Sequence, residues 1–255
     1  IIVSNYNLGY EIESIICPVV NKYEKDIMEK AGFVQYKNYS NNETLYIIDN
    51  KTIDKLYLNN VLKRNKFKVF VNEKVTEEMI TSIEKLNTKI FGEKHLWNVE
   101  HQLELFNKNN KSMIVVTYND KVVGYLNYLN ITKEKFDEML NSSLTTYNFS
   151  IDDIVSFRKR SKHYITINSI VIDKKFQNGY AIRLITRRFK RELTKLYNDN
   201  YKIDSVGTIA FSEDGKKLFE KLGFVKVREL ENEDVLYLLA NDNLNKFLSN
   251  NINGK

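Results

Sequence analysis

The sequence predicts an α/β fold, more closely an α+β arrangement around one mixed sheet, and three observations carry that expectation. Apolar residues recur at period two in some stretches and at helical spacing in others, and the two kinds of stretch alternate along the chain. A segment near the start recurs near the end: residues 10–56 align without gaps on 201–247, an offset of 191, with 14 identities in 47 positions. Finally, 42% hydrophobic and 12% aromatic content over 255 residues supplies a buried core and excludes wholesale disorder.

The repeated segment reads the same way in both copies. An apolar strand at 12–19 or 203–211 leads to a capping residue, Asn21 or Ser212, and Asn21 has Glu24 at the spacing of a capping box. A helix follows, with Tyr23, Ile27 and Met28 apolar in the first copy and Leu218, Phe219 and Leu222 in the second. Gly32 and Gly223 stand where a helix ends on a left-handed residue. Two strands close each copy, at 33–36 and 45–48 and again at 224–227 and 235–239. Shared Lys and Asn bias does not produce the aligned Gly-Phe-Val and Leu-Tyr pairs. An isolated first copy leaves strand edges open. It is therefore expected to pair with the complete domain, with a missing N-terminal segment (the chain starts at Ile1) or with another subunit of a homo-oligomer. The expected organisation is a partial unit over 1–60 and a complete domain over 61–255.

Between the copies, 66–72 alternates as a strand, and 76–91 places Met79, Ile80, Ile83, Leu86 and Ile90 on one helical face. A shorter helix is expected over 98–107, then a hairpin of 113–118 and 121–129 around Asn119-Asp120, a pair that tolerates positive φ. Residues 130–163 read as a charged, partly helical insertion. An apolar strand at 164–172 and a long helix at 180–197 complete the pattern, and the tail from Asn241 onward reads as a polar, fraying end.

Composition bounds the function. A single cysteine, Cys17, excludes an intrachain disulfide framework and a Cys-built zinc site, and the histidines lack a third ligand at suitable spacing, so no metal is expected. No apolar run reaches the ~18 residues of a membrane span, so neither a membrane nor a secreted location is expected, and a cytoplasmic one is. The net charge of +6 is compatible with a phosphate-bearing cofactor. The lysines are dispersed, which argues for a solvated surface and against a nucleic-acid partner. Arg183, Arg187, Arg188 and Arg191 share one helix face, read as a solvated basic face before a phosphate contact.

The chemistry-bearing stretch is 170–185, where a strand runs through a Gly-bearing loop into a helix. Free N–H groups and the dipole at such a helix start suit a pyrophosphate. In this order, Ile-Val-Ile-Asp-Lys-Lys-Phe-Gln-Asn-Gly-Tyr-Ala (170–181) and Ala-Phe-Ser-Glu-Asp-Gly-Lys-Lys-Leu-Phe-Glu-Lys-Leu-Gly-Phe (210–224) resemble the GCN5-related N-acetyltransferases, the GNAT family. The resemblance covers about residues 64–240, and residues 10–56 resemble the closing half of a second such unit.

The resemblance implies a GNAT-like acyl-CoA N-acyltransferase fold and transfer of an acyl group, most simply from acetyl-CoA, to an amine on a small molecule or protein by direct attack in a ternary complex. It implies that the backbone of Ile170, Val171 and Ile172 pairs with the pantetheine arm and that Gln177, Asn178, Gly179, Tyr180, Ala181 and Ile182 hold the pyrophosphate. Ser212 takes the place of an Asn beside the pantetheine, and Lys216 or Lys217 approaches the nucleotide phosphates. Phe219 stands where many members carry a Tyr that protonates the thiolate. Candidates to deprotonate the amine are His163, Tyr164, Asp152, Asp153 and Glu138, among which the sequence does not choose. Two other functions stay open: a GNAT-fold binding or regulatory protein without turnover, and a tandem GNAT of aminoacyl- or peptidyl-transferring type.

Overall fold

The computed structural model describes residues 14–39, 43–49, 52, 64–92, 99–108, 112–141, 149–177 and 179–249. The chain divides into two compact units, residues 1–66 and 67–255.

In the first unit, β1 (Ser14–Val19), α1 (Lys22–Lys30), β2 (Val34–Asn38) and β3 (Thr44–Asp49) form a three-stranded antiparallel sheet of order β1-β3-β2 with one helix. Asn21 caps α1 by accepting from the Glu24 amide at 2.8 Å, while Glu24 accepts from the Val20 amide at 3.1 Å, so the capping box forms. Val19, Phe33, Tyr46 and Ile48 bury one sheet face. Ile16, Val34 and Tyr36 are exposed.

The second unit carries β4 (Phe67–Val71), α2 (Glu77–Phe91), α3 (Val99–Lys108), β5 (Met113–Tyr118), β6 (Lys121–Ile131), α4 (Lys133–Asn141), β7 (Lys162–Ile172), α5 (Tyr180–Asn198), β8 (Lys202–Ala210), α6 (Glu213–Lys221), β9 (Val225–Glu229), β10 (Val235–Ala240) and α7 (Asn241–Ser249). Its seven strands order as β4-β5-β6-β7-β8-β10-β9. Neighbours are antiparallel except β7 and β8, which run parallel because α5 carries the chain across. One face packs on α5, α6 and α7 through a core that includes Leu126, Ile167, Ile185, Phe189, Val206 and Phe219. The other face holds two separate apolar clusters: Met113, Val115, Tyr125 and Val171 with α2, and Leu129, Phe136, Met139 and Leu236 with α4. Gly207 on β8 lets α4 lie close, since a Cβ there would collide with the Met139 methyl and meet Phe136 Cε2 at 3.2 Å.

Residues 14–49 repeat residues 205–240 in structure as well as sequence. At the offset of 191, α1, β2 and β3 coincide with α6, β9 and β10 end for end. The hairpins are irregular at the same step, between Gln35 and Lys37 and opposite Leu236 and Tyr237. Gly32 and Gly223 both take positive φ, 88° and 87°.

Two expectations need correction. The tail is not a fraying end over 241–249: α7 forms there because Leu244, Phe247 and Leu248 share one helical face and bury against the α5 side of the sheet. The 130–163 segment is less of an insertion than its charge suggests. β6 runs on to Ile131, β7 starts at Lys162, and Phe136, Met139, Phe149 and Ile154 fill the second cluster.

Candidate active site

The site is built where β7 and β8 part. Their pairing ends at Ile167 with Thr208, and the Thr208 hydroxyl donates to the Ile167 carbonyl at 3.1 Å. β7 continues through residues 168–172 bonded to β6 alone, with Ser169 opposite Asn127 and Ile172 opposite Gly124. Its other edge faces the gap between the parting strands. Asn168 is an extra residue in this ladder, between Ile167 (opposite Tyr128) and Ser169. Such bulges bend a strand and re-aim its side chains.

Ile170, Val171 and Ile172 alternate between the two faces: Val171 joins the α2 side, Ile170 and Ile172 the α5 side. Their side chains are spent in the core, so what they offer a ligand is backbone. Asp173 closes the strand as a buried carboxylate. Lys89 donates to it at 2.5 Å and the Lys175 amide at 3.1 Å, and these contacts hold its pKa below the usual carboxylate value.

The loop that follows is anchored by aromatic packing. Phe176 contacts the rings of Phe67 and Tyr118 at 5.9 and 5.1 Å, and Tyr180 contacts Phe67 at 5.2 Å. Gln177 turns back, its amide nitrogen donating to the Ile172 carbonyl at 3.2 Å. Asn178 lies outside the described residues. Gly179, at φ 116°, opens α5 with no side-chain cap, and Ala181 and Ile182 in the first turn pack into the core. The first turns of α1, α2 and α6 carry acids, whereas that of α5 carries none. A helix start with no acid and no side-chain cap has a dipole that suits an anion. Arg183 adds a cation there: its Nε donates to the Gly179 carbonyl at 2.9 Å, and a Cβ on Gly179 would lie 3.2 Å from its guanidinium. Its position one turn after Gly179 was the signal that set it apart from the other arginines of the basic face.

The remaining expected residues fall elsewhere. Ser212 is exposed and caps α6, accepting from the Gly215 amide at 3.1 Å, and Lys216 pairs with Glu213 at 2.6 Å. Phe219 is buried against Phe224 and Tyr237. Tyr164 packs against Phe136 at 5.5 Å and, like His163, lies at the closed end of the β7–β8 pair. His163 is buried, its Nδ1 3.0 Å from Asn130 Nδ2 and its Nε2 2.7 Å from the Arg158 carbonyl. Burial lowers its pKa against the opposing pull of that carbonyl. A neutral ring with Nε2–H donating to Arg158 and Nδ1 accepting from Asn130 satisfies both nitrogens. At about 3.3 Å per residue His163 stands roughly 16 Å along the strand from the bulge. This placement makes it a structural histidine. Of the acids, Asp153 closes the turn at 150–153 by accepting from the Ser150 amide at 2.7 Å, and Asp152 sits at 3.9 Å from the exposed Lys108 ammonium. Glu138 pairs with Lys135 at 2.9 Å.

One set of residues escaped the sequence reading. Gln102, Asn127 and Asn168 are 6%, 1% and 9% exposed, and the side-chain oxygen of each lacks a hydrogen-bond partner among the described residues. Polar residues inside otherwise apolar stretches were the available signal.

Among the described residues no group of three His, Cys, Asp or Glu side chains gathers as a metal site, and no helix is long and apolar enough to cross a membrane. No protein-family model and no curated protein matches the sequence. Solved structures do. PH1933 from Pyrococcus horikoshii OT3 is 18% identical, with 69% of this chain and 99% of that one covered and a TM-score of 0.47. The loading GNATL domain of CurA from Lyngbya majuscula is 12% identical (68% and 97% covered, TM-score 0.49), and Ard1 from Thermoplasma volcanium is 14% identical (68% and 95%, 0.44). Likeness at such identities concerns the fold, and the assignment rests on the chain's own sheet. With its seven-strand order, its one parallel pair parting at Ile167 and Thr208, and the uncapped helix that follows, the unit from Phe67 to Lys255 has the mixed α/β, GNAT-like acyltransferase fold that its sequence resembles.

Proposed function

We propose that residues 67–249 bind an acyl-CoA, most simply acetyl-CoA, and transfer its acyl group to an amine on a small molecule or protein. The observation that carries this reading is the parting of β7 from β8. It leaves an open strand edge at 168–172 that leads straight to the uncapped, acid-free start of α5. An extended pantetheine arm can add to that edge as a further strand would. Its pyrophosphate then meets the start of α5 at Ala181 and Ile182 and the Arg183 guanidinium. The arrangement fits the group: anion-binding dipoles lie at one end and unpaired backbone along the other.

The bound thioester supplies the activated acyl group, and a new C–N bond replaces the C–S bond. The chain's share is to orient the reactants, which is worth a large part of such a barrier. A second reading, binding without turnover, is favoured by Phe219, a buried ring with no proton to give, and by His163, whose ring nitrogens are both occupied.

Thermal unfolding with and without acetyl-CoA tests the site, with ATP and NAD as controls. Ligand at about 100 times its dissociation constant adds roughly 2.7 kcal/mol of stability. No acetyl-CoA-specific shift in a folded sample would overturn both readings. A shift without thiol release in the presence of amines would leave the binding reading.

A further inference from the structure

We infer that the exposed ridge of α5 at Arg187, Arg191 and Lys195, extended by the basic turn at 158–160, docks the phosphate backbone of a nucleic-acid duplex. The inference does not rest on the acyl-transfer reading, since none of these residues belongs to the site proposed for the acyl-CoA.

Residues four apart on an α-helix are surface neighbours and line up as one ridge. On α5 that ridge is Arg183, Arg187, Arg191 and Lys195, all exposed, over about 18 Å at 1.5 Å per residue. The other cations of the helix are engaged elsewhere: Arg188 pairs with buried Glu192 at 2.9 Å, and Lys190 lies over the Phe247 ring at 5.0 Å. Glu192 is the one acid of α5, so the ridge itself carries none. Past the helix end the chain runs beside a second basic segment. Arg158, Lys159, Arg160 and Lys202 are exposed there, the Arg160 amide donating to the Asn200 carbonyl at 2.8 Å and the Lys202 amide to the Ser161 carbonyl at 3.3 Å. His163 holds the same turn, its Nε2–H donating to the Arg158 carbonyl at 2.7 Å.

A solvated helix face interleaves opposite charges three or four residues apart, as Lys133 with Asp137 and Lys216 with Glu213 do in this chain. The α5 ridge instead sets like charges at i, i+4 three times over, which destabilises a helix. Among the described residues no carboxylate pairs with Arg187, Arg191, Lys195, Arg158, Lys159 or Arg160. The lysines are dispersed along the sequence, but the fold gathers these cations into a stripe of one sign, the electrostatic footprint of a polyanion. At one charge per about 1.7 Å, a duplex presents roughly ten charges over the length of the ridge. Protein and membrane partners are held by apolar anchors beside the cations, and single strands by aromatic stacking platforms. The large exposed apolar residue of α5 is Tyr197, at the far end, and none stands along the ridge from Arg183 to Lys195. A regular line of cations without anchors or stacking rings fits a duplex backbone, which offers charge alone.

The test follows the anisotropy of a labelled duplex of about 20 base pairs with the full chain, from about 50 to 200 mM salt. Neutralising roughly five phosphates gives a slope of log K on log salt of about −4 to −5. Arg187→Gln combined with Arg191→Gln should weaken binding about tenfold or more and flatten that slope by about two. The same variant relieves like-charge repulsion, so it should melt no earlier than the wild type and keep its acetyl-CoA-induced shift. Arg187→Lys with Arg191→Lys keeps both charges and should retain affinity and slope. DNA and RNA duplexes of one sequence tell which backbone is preferred, and salt-dependent binding of either that the glutamines weaken supports the inference. No binding at the lowest salt, or undiminished binding by the glutamine variant, would overturn it. So would a preference for a single strand, polyglutamate or phosphatidylserine vesicles over both duplexes.

Discussion

The Tyr237 hydroxyl donates to the Glu220 carboxylate at 2.9 Å, and 191 residues earlier Tyr46 makes the same bond to Glu29 at 3.0 Å. In each copy the bond ties the third strand to the helix across the same turn. Burial, reinforced by Glu220, pushes the Tyr237 pKa up to about 12. The folded state thus favours the neutral phenol, whose ordinary pKa is about 10. Its stabilisation is complete below pH 10 and is lost as pH rises toward 12. Tyr237→Phe should cost about 1–2 kcal/mol at neutral pH and flatten the loss of stability above pH 10. Denaturant titrations at pH 8, 10 and 11 measure both, and a variant as alkali-sensitive as the wild type would refute the assignment.

Arg183→Glu separates stability from binding at α5. A carboxylate in the first turn favours the helix dipole by about 0.3–1 kcal/mol, so the ligand-free protein should unfold no earlier than the wild type. The same charge repels a pyrophosphate, and the acetyl-CoA-induced shift should fall by more than half. An undiminished shift would remove Arg183 and the α5 start from the site.

His163 gives a stability signature with no effect on chemistry. Its folded pKa lies below the ordinary value near 6.5 because the neutral ring is buried. The stability this contributes is intact above pH 6.5 and is lost as pH falls through the folded pKa, where the unfolded chain binds the extra proton. Melting temperatures between pH 8 and 5 should fall more steeply for the wild type than for His163→Gln. If His163→Gln abolished turnover while leaving acetyl-CoA binding and melting unchanged, the structural role assigned here would be wrong.

Phe219 is a core residue of the α6 turn, in ring contact with Phe224 and Tyr237. Phe219→Ala should cost about 3–5 kcal/mol. Phe219→Tyr adds a hydroxyl to a buried site, so it should be destabilising by about 1–3 kcal/mol and should not raise thiol release. Faster turnover in Phe219→Tyr would show that the ring edge reaches the thioester.

Much of the architecture was open to a reading of residues alone, because periodicity is a local property. The helix over 77–91, the β5–β6 hairpin and the 191-residue repeat follow from apolar spacing, capping residues and two glycines in the left-handed region. Other features depend on contacts between residues distant in sequence. The end of β7–β8 pairing at Ile167 and the bulge at Asn168 are set by how two strands twist apart, and no single-strand pattern encodes them. His163 becomes structural only when Asn130 and the Arg158 carbonyl close on its ring, and α7 is held only by the burial of Leu244, Phe247 and Leu248. Gln102, Asn127 and Asn168 are buried by elements distant in sequence, and the side-chain oxygen of each lacks a partner among the described residues. Sequence alone thus determined the elements, their order and the repeat, since these rest on neighbours within one turn or one strand. The open edge, the burial of polar groups and the roles of individual side chains were decided by tertiary packing, which sets what each residue meets across the fold.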